Sequence, residues 1–373
     1  MRWKIPLFKI YWDEKDVEAV TEAIKAGMNW AVGPNIEKFE KMIAKYIGAK
    51  YCVVFNSGTS ALHAALLAYG IKEDDEVIVP SFTFIATANA PLFVGAKPVF
   101  ADIEEETYGL DSEDVKEKIT NKTKAIIPIH YGGCPCKIRE LREVADDHNL
   151  ILIEDAAESL GARIGDKKVG TFGDSTMLSF CQNKIITTGD GGAIITDSRE
   201  IYEKLKLIRS HGRLETSDYF SSTEYMDYIT IGYNFRMSNI TAALGISQFK
   251  KINKIIGIRR DNAAYMSKKL SKIESVTIPK PSNDFFHVYQ MYTIKVRRRD
   301  DLMRYLIENG IMAKVYFPPV HRTKFYMAAL GYKTRLKVTE KVSKEVLTLP
   351  MYPALTKDEI NHITDKIDVF IRY

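Results

Sequence analysis

YCVVFNSGTSALHAALLAYG, residues 51–70, is the stretch from which the fold is read. Tyr51–Phe55 is an unbroken β-rich run of strand length, apolar enough to be covered on both faces. Ser57-Gly58-Thr59-Ser60 turns the chain, and Thr59–Tyr69 is a compact Ala/Leu-rich helix that Gly70 stops. Further buried runs follow: Glu76–Pro80 (EVIVP), Lys97–Ala101 (KPVFA), Ala125–His130 (AIIPIH), Leu150–Glu154 (LILIE), Thr176–Phe180 (TMLSF) and Ala193–Thr196 (AIIT). Between them Ser112–Ile119 and Ile138–His148 carry charges with periodic apolar positions, and Asp111 and Ser112 are candidate N-caps. Strand–helix alternation sustained over about 200 residues predicts a largely parallel α/β sheet.

After Gly192 the pattern changes. Arg199–Arg209 reads as a helix, Ser210–Asp227 as a polar loop and Asn239–Ile256 as one long amphipathic helix. Beyond Arg259 helices alternate with strand candidates such as Tyr289–Val296. Met1–Gly48 reads as mostly helical, with a turn at Gly33-Pro34. The expected division is an N-terminal helical segment over 1–30 that packs on the rest, a large domain over 31–250 and a small α/β domain over 251–373. No repeat of solenoid period is present.

Composition narrows the class. The 373 residues are 46% apolar and 27% charged, an ordinary globular balance that excludes a disordered or fibrous chain. A net charge of +5 is too weak to argue for nucleic acid, and suits an anionic small substrate equally well. Four cysteines are too few for a disulfide scaffold at this length and read as buried, reduced thiols. Cys134-Pro135-Cys136 lacks the two-residue spacer of a zinc site and reads as a turn, so no metal is expected. No apolar stretch reaches the ~18 residues that span a bilayer. Residues 1–13 lack the apolar core of a secretory signal. A cytoplasmic protein without a membrane segment is expected.

Three segments carry chemistry. Phe55-Asn56-Ser57-Gly58-Thr59-Ser60-Ala61 leads a strand into a helix start, where Gly58 allows close backbone approach and free N–H groups favour a phosphate. An ordinary N-cap explains that segment equally well. Ile153-Glu154-Asp155-Ala156-Ala157-Glu158 places an acidic pair at the end of an apolar strand, at the edge where open α/β sheets bind ligands. An Asp there can pair with a buried cation such as a protonated ring nitrogen, although a helix cap is the simpler reading of the segment alone. Ser179-Phe180-Cys181-Gln182-Asn183-Lys184 sends a lysine off a strand edge, and Thr187–Gly192 returns the chain through glycines. Most lysines are solvated, but one beside a cationic ring can act as a nucleophile.

In this order the segments resemble one family. NSGTSAL, VPSFTFIATANA, IHYGGCP, IEDAAESLGA, SFCQNKIITTGDGGAIITD and GYNFRMSNITAALG are similar to the DegT/DnrJ-type sugar aminotransferases, and the likeness runs from WAVGPNIEKF (30–39) to the C-terminal region. The resemblance implies an α/β, aspartate-aminotransferase-like fold (pyridoxal-phosphate fold type I), with a mostly parallel mixed sheet between helices and a smaller C-terminal α/β domain. It implies pyridoxal 5′-phosphate as cofactor, held in the large domain. Lys184 would hold the cofactor aldehyde covalently and shuttle the substrate proton. Asp155 would pair with the ring nitrogen, and Glu158 would lie near the ring's 3-oxygen, where many relatives have Gln or His. Phe84 would stack on the ring; Gly58, Thr59 and Ser179 would hold the phosphate. Asn234 would reach the phosphate from a partner subunit, which implies a homodimer with shared sites.

The same resemblance implies glutamate as donor and a nucleotide-linked keto sugar as acceptor. The SFCQNK-ITTGDGG form is most like perosamine-synthase-like members acting on a 4-keto-6-deoxy sugar. Some relatives carry histidine in place of the lysine and act as dehydratases; Lys184 favours transamination. A dehydratase or other lyase is one alternative, and a non-catalytic sugar-nucleotide-binding regulator is another. Arg236, Tyr316 and His321 are candidate substrate contacts. Each has a plainer reading, as a structural ion pair for Arg236 and a rigid turn for Tyr316-Phe317-Pro318-Pro319-Val320-His321. His211-Gly212-Arg213 reads equally as a cover over the site or a surface loop, Arg297-Arg298-Arg299 as a solvated strand end, and His130 as core.

Overall fold

The computed structural model describes residues 3–214 and 222–372. The first two residues, the last one and the middle of the polar loop expected over 210–227 lie outside the described residues. In chain order the strands are β1 (Tyr51–Phe55), β2 (Glu76–Pro80), β3 (Lys97–Ala101), β4 (Thr123–Ile126), β5 (Ile151–Asp155), β6 (Arg163–Ile164), β7 (Lys167–Lys168), β8 (Ser175–Ser179), β9 (Gly192–Thr196), β10 (Phe285–Phe286), β11 (Tyr292–Lys295) and β12 (Val346–Leu349). A seven-stranded sheet has the order β1-β9-β8-β5-β4-β2-β3. Neighbours are parallel except where β9 meets β1 and β8. The reason is the connection: β8 returns to β9 through a glycine-rich turn with no helix, and only an antiparallel partner can be reached that way.

Side-chain alternation explains why the runs are apolar throughout. Val53 and Phe55 of β1 join Met177 of β8, Ile153 of β5 and Ile194 of β9 in a cluster with Leu62 and Leu66 of helix Gly58–Ala68. Cys52 and Val54 point the other way, with Leu178 and Ile195, against Phe39, Phe180 and Phe249. Both faces are dry, and each such side chain contributes about 1.5–3 kcal/mol by its burial. Strand β4 stops short of the expected Ala125–His130 because Pro128 has no N–H to give the ladder; Ile129 makes one isolated bridge to Asp155.

The long helix expected over Asn239–Ile256 is two helices, Asn239–Phe249 and Ile252–Leu270. Neither Lys250 nor Lys251 breaks helices by propensity. At the break the Lys251 ammonium is held by Asp13 (2.9 Å) and Asp16 (2.6 Å) of the N-terminal segment. The second helix joins two apolar clusters. Ile252, Ile255 and Ile256 pack beside the main sheet, while Ala263, Met266 and Leu270 pack with β11, β12 and helices Arg299–Glu308 and Lys357–Arg372. Among the described residues no helix is long and apolar enough to cross a membrane.

The topology brings several chain ends together. β1, β5 and β8 run the same way, so the chain leaves all three at one edge of the sheet. There Gly192, the first residue of β9, lies between Phe55 and Ser179 and pairs with both.

Candidate active site

A cavity of about 370 Å³ opens at this edge. Gly58, Thr59, Phe84, Asp155, Glu158, Ser179, Lys184 and Tyr316, all singled out from the sequence, line it. Its first feature is the start of helix Gly58–Ala68. The N-cap Ser57 accepts the Ser60 N–H at 3.1 Å, which leaves the N–H groups of Gly58 and Thr59 without intrahelical partners. Glycine leaves room here: a Cβ on Gly58 would lie 3.1 Å from Met177 Sδ and 3.2 Å from Ser179 Cβ, tight enough that those side chains would have to give. Bare N–H groups at a helix start, beside the Thr59 and Ser179 hydroxyls, make an anion cradle.

Asp155 ends β5 and is 3% exposed. Its Oδ2 accepts the Thr87 hydroxyl proton at 2.7 Å, and its Oδ1 accepts the Ala157 N–H at 3.1 Å. Burial pushes its carboxyl above the ordinary range; those two donors and the Lys184 charge pull back without cancelling the rise. A buried carboxylate in this condition gains from a cation placed against it. Glu158 accepts the Gly132 N–H at 2.8 Å through Oε2, while Oε1 lies 3.6 Å from Lys184 Nζ. Burial raises its carboxyl too, opposed by the Lys184 ammonium and the Gly132 N–H, and Asp155 adds to the rise. Phe84, 58% exposed, faces Phe317 with ring centroids 6.3 Å apart. Tyr316 is half-buried; burial pushes its phenol up, and the nearby Glu158 adds to that.

These groups fit pyridoxal phosphate by chemistry. The helix start suits the phosphate, Asp155 a ring cation, Lys184 an aldehyde, and Phe84 the face of a planar ring.

Three expected residues lie elsewhere. Asn234 bridges Ser210, and its carbonyl accepts from Asn56 Nδ2 at 3.3 Å; Arg236 bridges Phe55 and donates to Ser210 Oγ at 3.3 Å. Neither lines the cavity of its own chain. Nor does the structure bring His321 to the cavity. It is 1% exposed, with Nδ1 at 2.6 Å and its backbone N–H at 3.0 Å from Ser81 Oγ, and Nε2 at 3.3 Å from Glu340. Its visible task is to pin the Pro-rich loop to the turn after β2.

The acidic pair divides its labour. Glu154 faces the core, where its carboxylate accepts from the N–H groups of Gly170, Phe172 and Gly173, from Thr176 Oγ1 and from His130 Nε2. His130 Nδ1 accepts the Cys136 N–H, so the ring's one proton sits on Nε2 and is given to Glu154. Sequence reading passed over Thr87 and Lys314. Thr87 is a hydroxyl in an otherwise apolar helical run, IATANAPLF, one turn after Phe84. Lys314 lines the cavity, its Nζ 4.8 Å from the centroid of the Tyr316 ring; nothing in the local sequence marks it.

Residues 11–368 match the DegT/DnrJ/EryC1/StrS aminotransferase family. The chain belongs to that family. Its members of this kind are pyridoxal-phosphate-dependent, and this DegT/DnrJ-family chain is a sugar aminotransferase with that cofactor. Similar curated relatives include the GDP-perosamine synthase of Vibrio cholerae, 36% identical over 97% of this chain and 98% of the relative. The pleiotropic regulatory protein of Geobacillus stearothermophilus is 36% identical over 96% and 95%. Among solved structures, Helicobacter pylori PseC, an aminotransferase involved in the biosynthesis of pseudoaminic acid, superposes with a TM-score of 0.92 over 99% of each chain at 28% identity. Bacillus subtilis NtdA with bound cofactor PMP superposes with a TM-score of 0.88 at 32% identity, over 96% of this chain and 82% of that one.

Proposed function

We propose that this chain moves an amino group from glutamate to a keto-deoxy sugar carried on a nucleoside diphosphate, with a 4-keto-6-deoxyhexose as the first acceptor to test. The observation that carries the reading is that Lys184 and Asp155 line one cavity whose wall includes a bare helix start. The likeness to GDP-perosamine synthases over nearly the full length supports the acceptor class.

When bound, the cofactor supplies an aldehyde that takes up the amino group and a cationic ring that draws off electron density. In this reading the Gly58 and Thr59 N–H groups and the Ser179 hydroxyl hold its phosphate, and Phe84 covers a ring face. Asp155 keeps the proton on the ring nitrogen. Lys184 Nζ would take the donor's α-proton and redeliver it, a transfer worth about 10²–10⁴-fold. Glu158 lies beside that amine and would face the ring's oxygen. Tyr316 and Lys314 line the cavity, and the ammonium would meet the anionic oxygens of the substrate. Asn234 and Arg236 serve the neighbouring site of a homodimer. Residues 31–250 form the cofactor domain, 251–373 the small domain that brings Lys314 and Tyr316 to it, and the cytoplasm is the compartment this chemistry suits.

The test is a screen of nucleotide-linked keto sugars with glutamate, read by mass spectrometry. An aminated sugar formed one-for-one with 2-oxoglutarate is expected. Sugar consumed with loss of water and no gain of nitrogen would move the reading to a lyase, and no consumption of any keto sugar would end it.

A further inference from the structure

The Asp155 carboxylate does not stand alone. Its Oδ2 takes the hydroxyl proton of Thr87 at 2.7 Å, and Thr87 Oγ1 lies 2.8 Å from Thr83 Oγ1. A threonine has one hydroxyl proton. Because Thr87 spends its proton on Asp155, the proton between the two threonines belongs to Thr83. The three groups therefore form a relay of one sense, Thr83 to Thr87 to Asp155, in which each bond polarises the next. Thr83 and Thr87 are each 1% exposed, so bulk water does not replace a missing member. Among the described residues the other carboxylate oxygen takes the Ala157 N–H alone. Each oxygen keeps a lone pair for a ligand.

The relay also has a mechanical anchor. Phe84 is the N-cap of helix Ile85–Phe93, and the Thr87 N–H donates to the Phe84 carbonyl at 3.2 Å. One helix start thus fixes both the exposed ring at the cavity wall and the hydroxyl behind the buried acid. The direction of the relay matters chemically. Hydrogen bonds donated to a carboxylate favour its charged form, and burial alone opposes that form.

We propose that the Thr83–Thr87 pair is a positioning relay that keeps Asp155 ionised and aimed, so that the cofactor's ring nitrogen rather than Asp155 carries the shared proton. It rests on the cofactor assignment above and adds two residues to it. Thr87→Val keeps the shape and removes the donor, Thr87→Ser keeps the donor, and Thr83→Val removes the outer member only.

Two readouts besides turnover apply. One is the affinity for pyridoxamine 5′-phosphate by equilibrium dialysis. The other is the NMR signal of the ring nitrogen in protein loaded with ¹⁵N-labelled pyridoxal 5′-phosphate. Wild type and Thr87→Ser are expected to show the protonated-ring position. Thr87→Val is expected to move toward the neutral-ring position and to bind on the order of 10- to 100-fold more weakly, the loss of a hydrogen bond to a charged group. Thr83→Val is expected to shift the same way by less. A Thr87→Val protein with the wild-type ring signal and wild-type affinity overturns the relay, and so does a Thr87→Ser protein that behaves as Thr87→Val. A wild-type protein that binds no cofactor sinks the cofactor assignment instead, so the two failures are told apart.

Discussion

Replacing Gly192 by alanine drives a methyl group into the junction of β1, β8 and β9. A Cβ at that position would lie 2.5 Å from Ser57 O and 2.6 Å from both Ser57 C and Gly58 N. All three neighbours are main chain, so no side chain can swing aside. The junction is held from both sides, by Gly192 pairing with Phe55 and with Ser179, and the Ala61 N–H bond to Ser57 O fixes the helix start. Relief requires the helix start and β9 to part by roughly 1 Å, which pulls the N–H groups of the helix start out of hydrogen-bond reach of an anion, and a misplacement of that size can cost on the order of 10²-fold in rate. Overpacking should also lower stability by about 1–3 kcal/mol. Gly189→Ala is the control: it sits in the same return at φ +85°, with open space around it. It should strain the turn while sparing the cradle. Dialysis of pyridoxamine 5′-phosphate, with unfolding curves for the apo proteins, separates the two effects. Gly192→Ala should lose cofactor affinity far beyond Gly189→Ala. Equal, near-wild-type affinities in both would refute the placing of the phosphate at this helix start.

The adjacent acids should separate cleanly. Glu154→Gln leaves at least one buried donor bare and should cost about 1–3 kcal/mol per donor in denaturant unfolding, with the bound cofactor's spectrum unchanged; Asp155→Asn should disturb the spectrum instead. Glu105 bonds Lys295 and Lys341, which hold its carboxyl down at about 2. A depressed carboxyl stabilises above its unfolded value and loses that contribution as pH falls toward the folded one. The melting temperature of Glu105→Gln should therefore fall slightly below wild type at pH 7 and rejoin it near pH 2 in a thermal scan series. Lys184→Ala and Asn234→Ala should each be inactive alone, and subunits of the two refolded together should regain turnover; a mixture as dead as its parts would count against shared sites.

What the sequence disclosed was local. β1, β2 and β3 lie where the apolar runs place them, and helix Arg199–Arg209 keeps its expected bounds, because short-range burial pattern and caps specify them. The cavity's own residues were legible for a related reason: Asp155 ends a strand, Gly58 and Lys184 follow strand ends, and the parallel topology carries strand ends to one edge. What stayed hidden depends on contacts across the chain. Thr87 meets Asp155 over 68 positions, and Ser81 holds His321 over 240. The ion pairs that hold Lys251, at the helix break, to Asp13 and Asp16 join positions more than 230 apart, which no local propensity encodes. Asn234 and Arg236 lie outside their own chain's cavity, so one chain alone does not display the roles proposed for them.

The most direct test is a titration of the purified protein followed by visible absorbance. Adding pyridoxal 5′-phosphate should raise a band through capture by Lys184, and glutamate should bleach it as 2-oxoglutarate appears in equal amount; Lys184→Ala should do neither. A wild-type band that glutamate leaves untouched, or a Lys184→Ala protein that bleaches as wild type does, would contradict the assignment of the amine and the acid at this sheet edge.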